Sequence, residues 1–153
     1  MRAVDKILFK VLGAGAVISF TALILIVLLQ VLARFVLPIS PSWTEEASRF
    51  LFIYCVAFGA PLALLRNEYV SVDILVKKFS EKTSAILDKS IYILLVIFFA
   101  VICYHGITFA ELGTIQTSPA MQITMILPYG SIAFSAVFLT WFSLSQFLSR
   151  KQK

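Results

Sequence analysis

Charge is what this chain has least of for its size. Only 14% of its 153 residues are Asp, Glu, Lys or Arg, against 60% apolar. Soluble domains carry roughly a quarter of their residues as charges, so a water-soluble globule is excluded. Histidine occurs once, as His105, and cysteine twice, as Cys55 and Cys103. One histidine cannot give bis-histidine haem ligation, and two separated thiols cannot complete a four-ligand metal cluster. Both cysteines fall in apolar runs, where a thiol behaves as a small hydrophobe, so neither a disulfide nor a metal role is expected. No phosphate-binding glycine loop and no Gly-x-Ser-x-Gly elbow occurs. Repeats, low-complexity tracts and long linkers are missing too. With no catalytic constellation, no enzymatic role and no cofactor are expected.

What remains is four long apolar stretches, with approximate spans 11–33, 42–65, 90–112 and 124–148. Crossing ~30 Å of hydrocarbon at 1.5 Å per residue takes ~20 such residues. The second stretch reaches that length once its helix is extended back through 42–49. The expected fold is an all-α membrane protein, a single four-span membrane domain over 1–153. The net charge of +5 invites a nucleic-acid reading, but its distribution argues for topology. Arg2, Lys6 and Lys10 precede the first span. Arg66, Lys77, Lys78, Lys82 and Lys89 separate the second from the third, and Arg150, Lys151 and Lys153 follow the fourth. Only Arg34 and Arg49 fall on the other side. The positive-inside rule therefore places both termini and the 66–90 segment in the cytoplasm. A cleaved leader is not expected, because the run after Lys10 is about twice a usual signal core.

Local patterns add detail. Gly13, Gly15 and Ser19 in the first span, and Cys55, Gly59 and Ala63 at intervals of four in the second, form small-residue ridges suited to close helix packing. The isolated chain is expected to be poorly stable, since these ridges would lack a partner. Arg34 closes the first span and can snorkel to the outer interface. Ser42-Trp43-Thr44-Glu45 reads as a capping box, Ser42 accepting from the Glu45 amide and Glu45 reaching back. Glu45 and Arg49 have the spacing of a surface ion pair, and Trp43 suits headgroup depth. Pro61 is expected to kink the second helix. Val72, Leu75, Val76, Phe79, Ile86 and Leu87 share a face opposite Lys77, Lys78, Glu81, Lys82 and Asp88. This predicts an amphipathic interfacial helix over 72–87, the alternative being an extension of the third span. Ser118-Pro119 resembles an N-cap and first-turn proline, so a helix is expected to restart there and run, with a kink, through Pro128 into the fourth span.

Intramembrane ionisable groups are functional candidates. His105 and Glu111 lie six apart, on different faces of a helix, and a hydrogen bond from His105 to a neighbouring helix is the plainer expectation. Glu45, Glu46 and Arg49 cluster beside a span. They suit either ordinary capping and interface pairing or a specific partner contact.

One set of residues carries a family resemblance. It comprises Gln30-Val31-x-x-Arg34-Phe35, Trp43-Thr44-Glu45-Glu46-x-x-Arg49-Phe50-Leu51-Phe52, Phe58-Gly59-Ala60, Arg66-Asn67-Glu68 and Val72-Asp73. Ser118-Pro119-Ala120-Met121 and Leu127-Pro128-Tyr129 complete it. In order and spacing the set resembles the small membrane subunit of tripartite ATP-independent periplasmic (TRAP) transporters. Tyr69, where that family often has histidine, and Pro61 depart from the pattern.

The resemblance implies a four-helix scaffold beside a large polytopic transport subunit in the bacterial inner membrane. A periplasmic substrate-binding protein would deliver an organic acid, of dicarboxylate or sialic acid type, for sodium-driven uptake. It carries Arg34, Trp43, Glu45, Glu46 and Arg49 over as outer-face structural or docking residues, and Arg66 and Asp73 as organisers of the inner turn. Membrane lipid is the remaining partner, and nucleic acid is not one. Two alternatives stay open: a self-sufficient dimeric proton-coupled transporter using Glu111, and an accessory subunit of another membrane complex.

Overall fold

Backbone amides have no water to bond in hydrocarbon, so a chain this apolar must satisfy them within helices. The computed structural model describes residues 3–36, 41–66 and 81–150. They form α1 (Ala3–Val36), α2 (Trp43–Leu65), α3 (Glu81–Leu112) and α4 (Ile126–Arg150), with a 3-10 turn over Gly113–Ile115 after α3. All four helices are long and apolar enough to cross a membrane. The 34 residues of α1 make a rod of ~51 Å. This exceeds the hydrocarbon thickness, so α1 must tilt or project from it.

Three expectations change. Residues 81–87, assigned to the end of an interfacial helix, continue into α3 without a break. No glycine or proline stands between Glu81 and His105 to stop a helix, and the rest of the 72–87 segment lies outside the described residues. No helix restarts at Ser118; the chain there makes a turn, and α4 begins at Ile126. Pro128 thus falls in the first turn of α4, where a missing N–H costs nothing and no kink is called for. In α2, by contrast, the helix runs through a buried Pro61, which withholds the donor that the Ala57 carbonyl would otherwise meet.

The helices pack in the order α1–α2–α4–α3. Of the four, α4 is the most enclosed and α3 the least. Leu12, Leu64, Phe99, Leu139 and Phe142 form the core cluster, one or more from each helix. Phe58 of α2 meets Phe134 of α4 edge-on at 5.1 Å, and Phe134 meets Phe138 at 4.9 Å, a favoured aromatic geometry. Most other large apolar side chains face outward, as they can where the surroundings are equally apolar.

Small residues matter where backbones touch. A Cβ on Gly15 would come within 2.9 Å of the Phe58 ring, and one on Gly106 within 3.1 Å of the Ala133 nitrogen. Gly113 is tighter still, with Ile126 N and Met125 C each 2.7 Å from the added carbon. Gly59 would meet nothing within 4 Å. Together with half-buried Cys55 and Ala63, it leaves the α2 ridge facing away from the neighbouring helices at that position. Gly113→Ala should therefore destabilise the protein by ~1–3 kcal/mol, and Gly59→Ala should shift it by less than about 0.5 kcal/mol. Thermal unfolding of the detergent-solubilised subunit measures both.

Candidate functional site

The end of the helix row at which α2 begins is organised by that helix. Ser42 already has helical dihedrals (φ −64°, ψ −25°) and its side chain makes no capping bond. An N-cap needs an extended backbone to swing its oxygen over the first amides, so the expected capping box does not form. Thr44, fully buried, instead donates its hydroxyl to the Pro41 carbonyl at 2.7 Å, which fixes the chain entering α2 without capping an amide.

Glu45 and Glu46 then diverge by the ~100° that separates successive helical residues. Glu45 is exposed and Glu46 is buried. The Glu46 carboxylate accepts the Ala120 amide on Oε1 at 3.0 Å and the Met121 amide on Oε2 at 2.8 Å. Charge-assisted bonds of this kind are the strong ones. The buried Ser118 hydroxyl lies beside this carboxylate, outside regular hydrogen-bond geometry, and the Arg49 charge adds its attraction.

The loop that Glu46 holds is itself built by backbone pairing. Thr117 and Thr124 form an antiparallel bridge. Ser118 N–H donates to Ile123 O at 2.9 Å, and Met125 N–H to Gln116 O at 2.8 Å. Gln122 sits at φ 55° and its side-chain amide donates to Pro119 O at 2.9 Å. Two tyrosines reinforce the unit. Tyr54 donates to the Leu127 carbonyl at 2.7 Å, and Tyr129 to Gln116 Oε1 at 3.2 Å.

Around this tie, Trp43, Glu45 and Arg49 stay exposed. Glu45 and Arg49 line an open cleft with Leu23, Val27, Ser48 and Phe52, and no ion pair joins the two among the described residues. Arg34 is exposed at the end of α1. His105 and Glu111 are exposed as well. His105 packs edge-on against Tyr104 at 5.2 Å, so it does not provide the expected bond to a neighbouring helix. Asp73 lies outside the described residues.

The opposite end of the helix row, where α2 finishes, has a matching set of ties that the sequence reading passed over. Asp5, almost wholly buried, accepts from Trp141 Nε1 at 3.3 Å and from Ser145 Oγ at 2.9 Å. Gln146 donates to the Leu64 and Leu65 carbonyls at 3.0 and 3.1 Å, closing the last turn of α2. Its Oε1 accepts from Tyr92 at 3.4 Å. Beyond them the Arg66 amide donates to Leu62 O, and its guanidinium lies 5.1 Å over the Phe9 ring. A lone acid in a basic segment and a glutamine in a terminal apolar turn were the signals available.

Among the described residues no group of three or more His, Cys, Asp or Glu side chains could hold a metal ion. The cleft between α2, α3 and α4, of about 320 Å³, is lined by apolar residues with Ser131 and Ser135. The Ser131 hydroxyl is already used, donating to Pro128 O at 2.6 Å.

Removing the Glu46 carboxylate should therefore loosen the loop between Thr117 and Thr124. In Glu46→Ala, hydrogen exchange at the Ala120 and Met121 amides should accelerate by about tenfold or more, while Glu45→Ala leaves it unchanged. At the other end, Gln146→Leu should cost ~1–2 kcal/mol in thermal unfolding, since two helix-terminal carbonyls lose their donor.

Comparison with known proteins bears on this arrangement. The family model described as tripartite ATP-independent periplasmic transporters, DctQ component, matches residues 23–152. Two similar proteins come from Haemophilus influenzae, each under the provisional name of a TRAP transporter small permease protein. One is 36% identical over 87 residues, which are 57% of this chain and 54% of that relative. The chain thus spans about half the length of that match. The other is 26% identical over 144 residues, 92% of this chain and 87% of the relative. The matched region includes both Glu46 and the loop it grips, and on this match the chain belongs to the DctQ family of TRAP transporter small permease subunits, as a multi-pass membrane protein.

Proposed function

We propose that this protein is the four-span scaffold of a sodium-dependent, binding-protein-dependent secondary transporter for an organic acid of dicarboxylate or sialic acid type. It sits in the bacterial inner membrane with both termini cytoplasmic, beside a large polytopic subunit that carries the substrate path. The observation that carries this reading is the Glu46 tie. It joins the first turn of α2 to the Ser118–Met121 turn, so two segments of family resemblance meet as one braced outer surface. A braced surface is what a soluble delivery protein needs, since ordering a loop on contact would subtract from affinity.

Trp43, Glu45, Arg49 and Arg34 stand exposed on or beside that surface as the docking set, with Glu46 as its internal support. The Cys55, Gly59 and Ala63 ridge, open at Gly59, is offered to the large subunit, where close backbone approach would be worth most. Arg66, stacked on Phe9, and Asp73 organise the inner turn.

The tagged subunit, extracted in detergent from its native membrane, should travel as a one-to-one complex with a larger polytopic membrane protein. Its mass and composition test this. A homodimer without a larger partner overturns the scaffold role.

A further inference from the structure

Polar side chains that face outward at hydrocarbon depth need a partner from somewhere. On α3, Ile97, Val101, Tyr104, Thr108 and Glu111 recur at intervals of four and three down one stripe. His105 stands beside it, and all six are exposed. The span on this helix runs Lys89–Ile115. Tyr104 and His105 lie ~15–17 Å from its Ile115 end and ~22–24 Å from its Lys89 end. Both therefore fall inside the ~30 Å of hydrocarbon. Their rings meet edge-on at 5.2 Å, and among the described residues neither side chain makes a hydrogen bond. At that depth only a spanning helix can bring one. Within this chain α3 packs chiefly on α4, away from this stripe, so the helix that completes it belongs to another chain.

We infer that the stripe docks a spanning helix of the large subunit. That helix carries an acceptor oxygen level with Tyr104 and His105, and a cation or hydrogen-bond donor ~10 Å further along, level with Glu111. Charge complementarity selects this occupant. Lipid tails satisfy no polar group at mid-depth. A second copy of this chain would be inserted with the same orientation. Across a two-fold axis it would set Glu111 against its own counterpart, and like charges so juxtaposed are costly. Thr108 already donates to the Tyr104 carbonyl at 3.4 Å, so it adds a small side chain for close approach and no further polar demand. The inference rests on the scaffold reading for the existence of a large subunit, and it adds a contact on α3 to the one proposed at the α2 ridge.

The test uses the native complex, isolated in detergent through a tag on this subunit. p-Benzoylphenylalanine in place of Val101 or of Thr108, irradiated in the membrane before extraction, should crosslink to the larger polytopic protein, identified by mass. Tyr104→Phe and His105→Leu should each raise the dissociation constant of the complex by about threefold, the size of one interhelical hydrogen bond in a membrane. His105→Gln, which keeps a donor, should bind like the parent. Circular dichroism of each variant shows that it is folded. If the larger protein co-purifies but crosslinks at neither position, the inference falls while the scaffold reading stands. If no larger protein travels with the subunit, the scaffold reading falls and takes the inference with it. Crosslinks joining two copies of this chain overturn it as well. So does a Tyr104→Phe, His105→Leu protein that holds the large subunit as tightly as the parent.

Discussion

Inside a bilayer no water is available to complete a hydrogen bond, and helix ends are where a chain runs short of partners. Both ends of α2 are tied to distant parts of the sequence, although only the last turn has its own backbone groups closed that way. At one end the Glu46 carboxylate engages the amides of Ala120 and Met121. At the other the Gln146 amide meets the Leu64 and Leu65 carbonyls. Each bond satisfies a backbone group and at the same time joins α2 to the α3–α4 half. The register of α2 against α4 is thereby pinned at two points, and apolar packing has only to fill the space between.

This division of labour fits the weakness of apolar selection in lipid. A leucine gains little by leaving hydrocarbon for another helix, so helix position depends on shape and on polar contacts. Shape enters through Gly15 beneath Phe58, Gly106 against the Ala133 backbone, and Gly113 against Ile126. Polar contacts enter at the ends, where Asp5 secures the start of α1 to Trp141 and Ser145. The row α1–α2–α4–α3 leaves broad apolar faces uncovered, as hydrocarbon surroundings allow.

The four spans were legible because hydropathy and length report directly on bilayer crossing. Their ends were not. The reading favoured Ser42 and Glu45 because the capping pattern is local, whereas Glu46 finds its partners over 70 residues away, and no local pattern reveals that. Ser118-Pro119 matched a helix start, but pairing of Thr117 with Thr124 drew the chain into a tight turn first. The cut between 87 and 90 rested on amphipathicity, and α3 ignores it because nothing there breaks a helix. Asp5 was hidden by its basic neighbours, which had been read for topology alone. The resemblance fared better: it selected both Glu46 and Ser118–Met121, though it gave no reason for pairing them.

The span of the Glu46 tie also sets an order of events during biosynthesis. Its partners lie 74 and 75 residues further along the chain. At ~5–20 residues per second, the carboxylate exists for on the order of 4–15 s before those amides have been made. Throughout that interval the Glu46 carboxylate in the first turn of α2 has no long-range acceptor role to fill. The first two helices can therefore enter the bilayer early, but the first turn of α2 becomes locked only when the nascent chain has passed Met121. Completion of this bond marks the moment at which the two halves of the polypeptide become a single body.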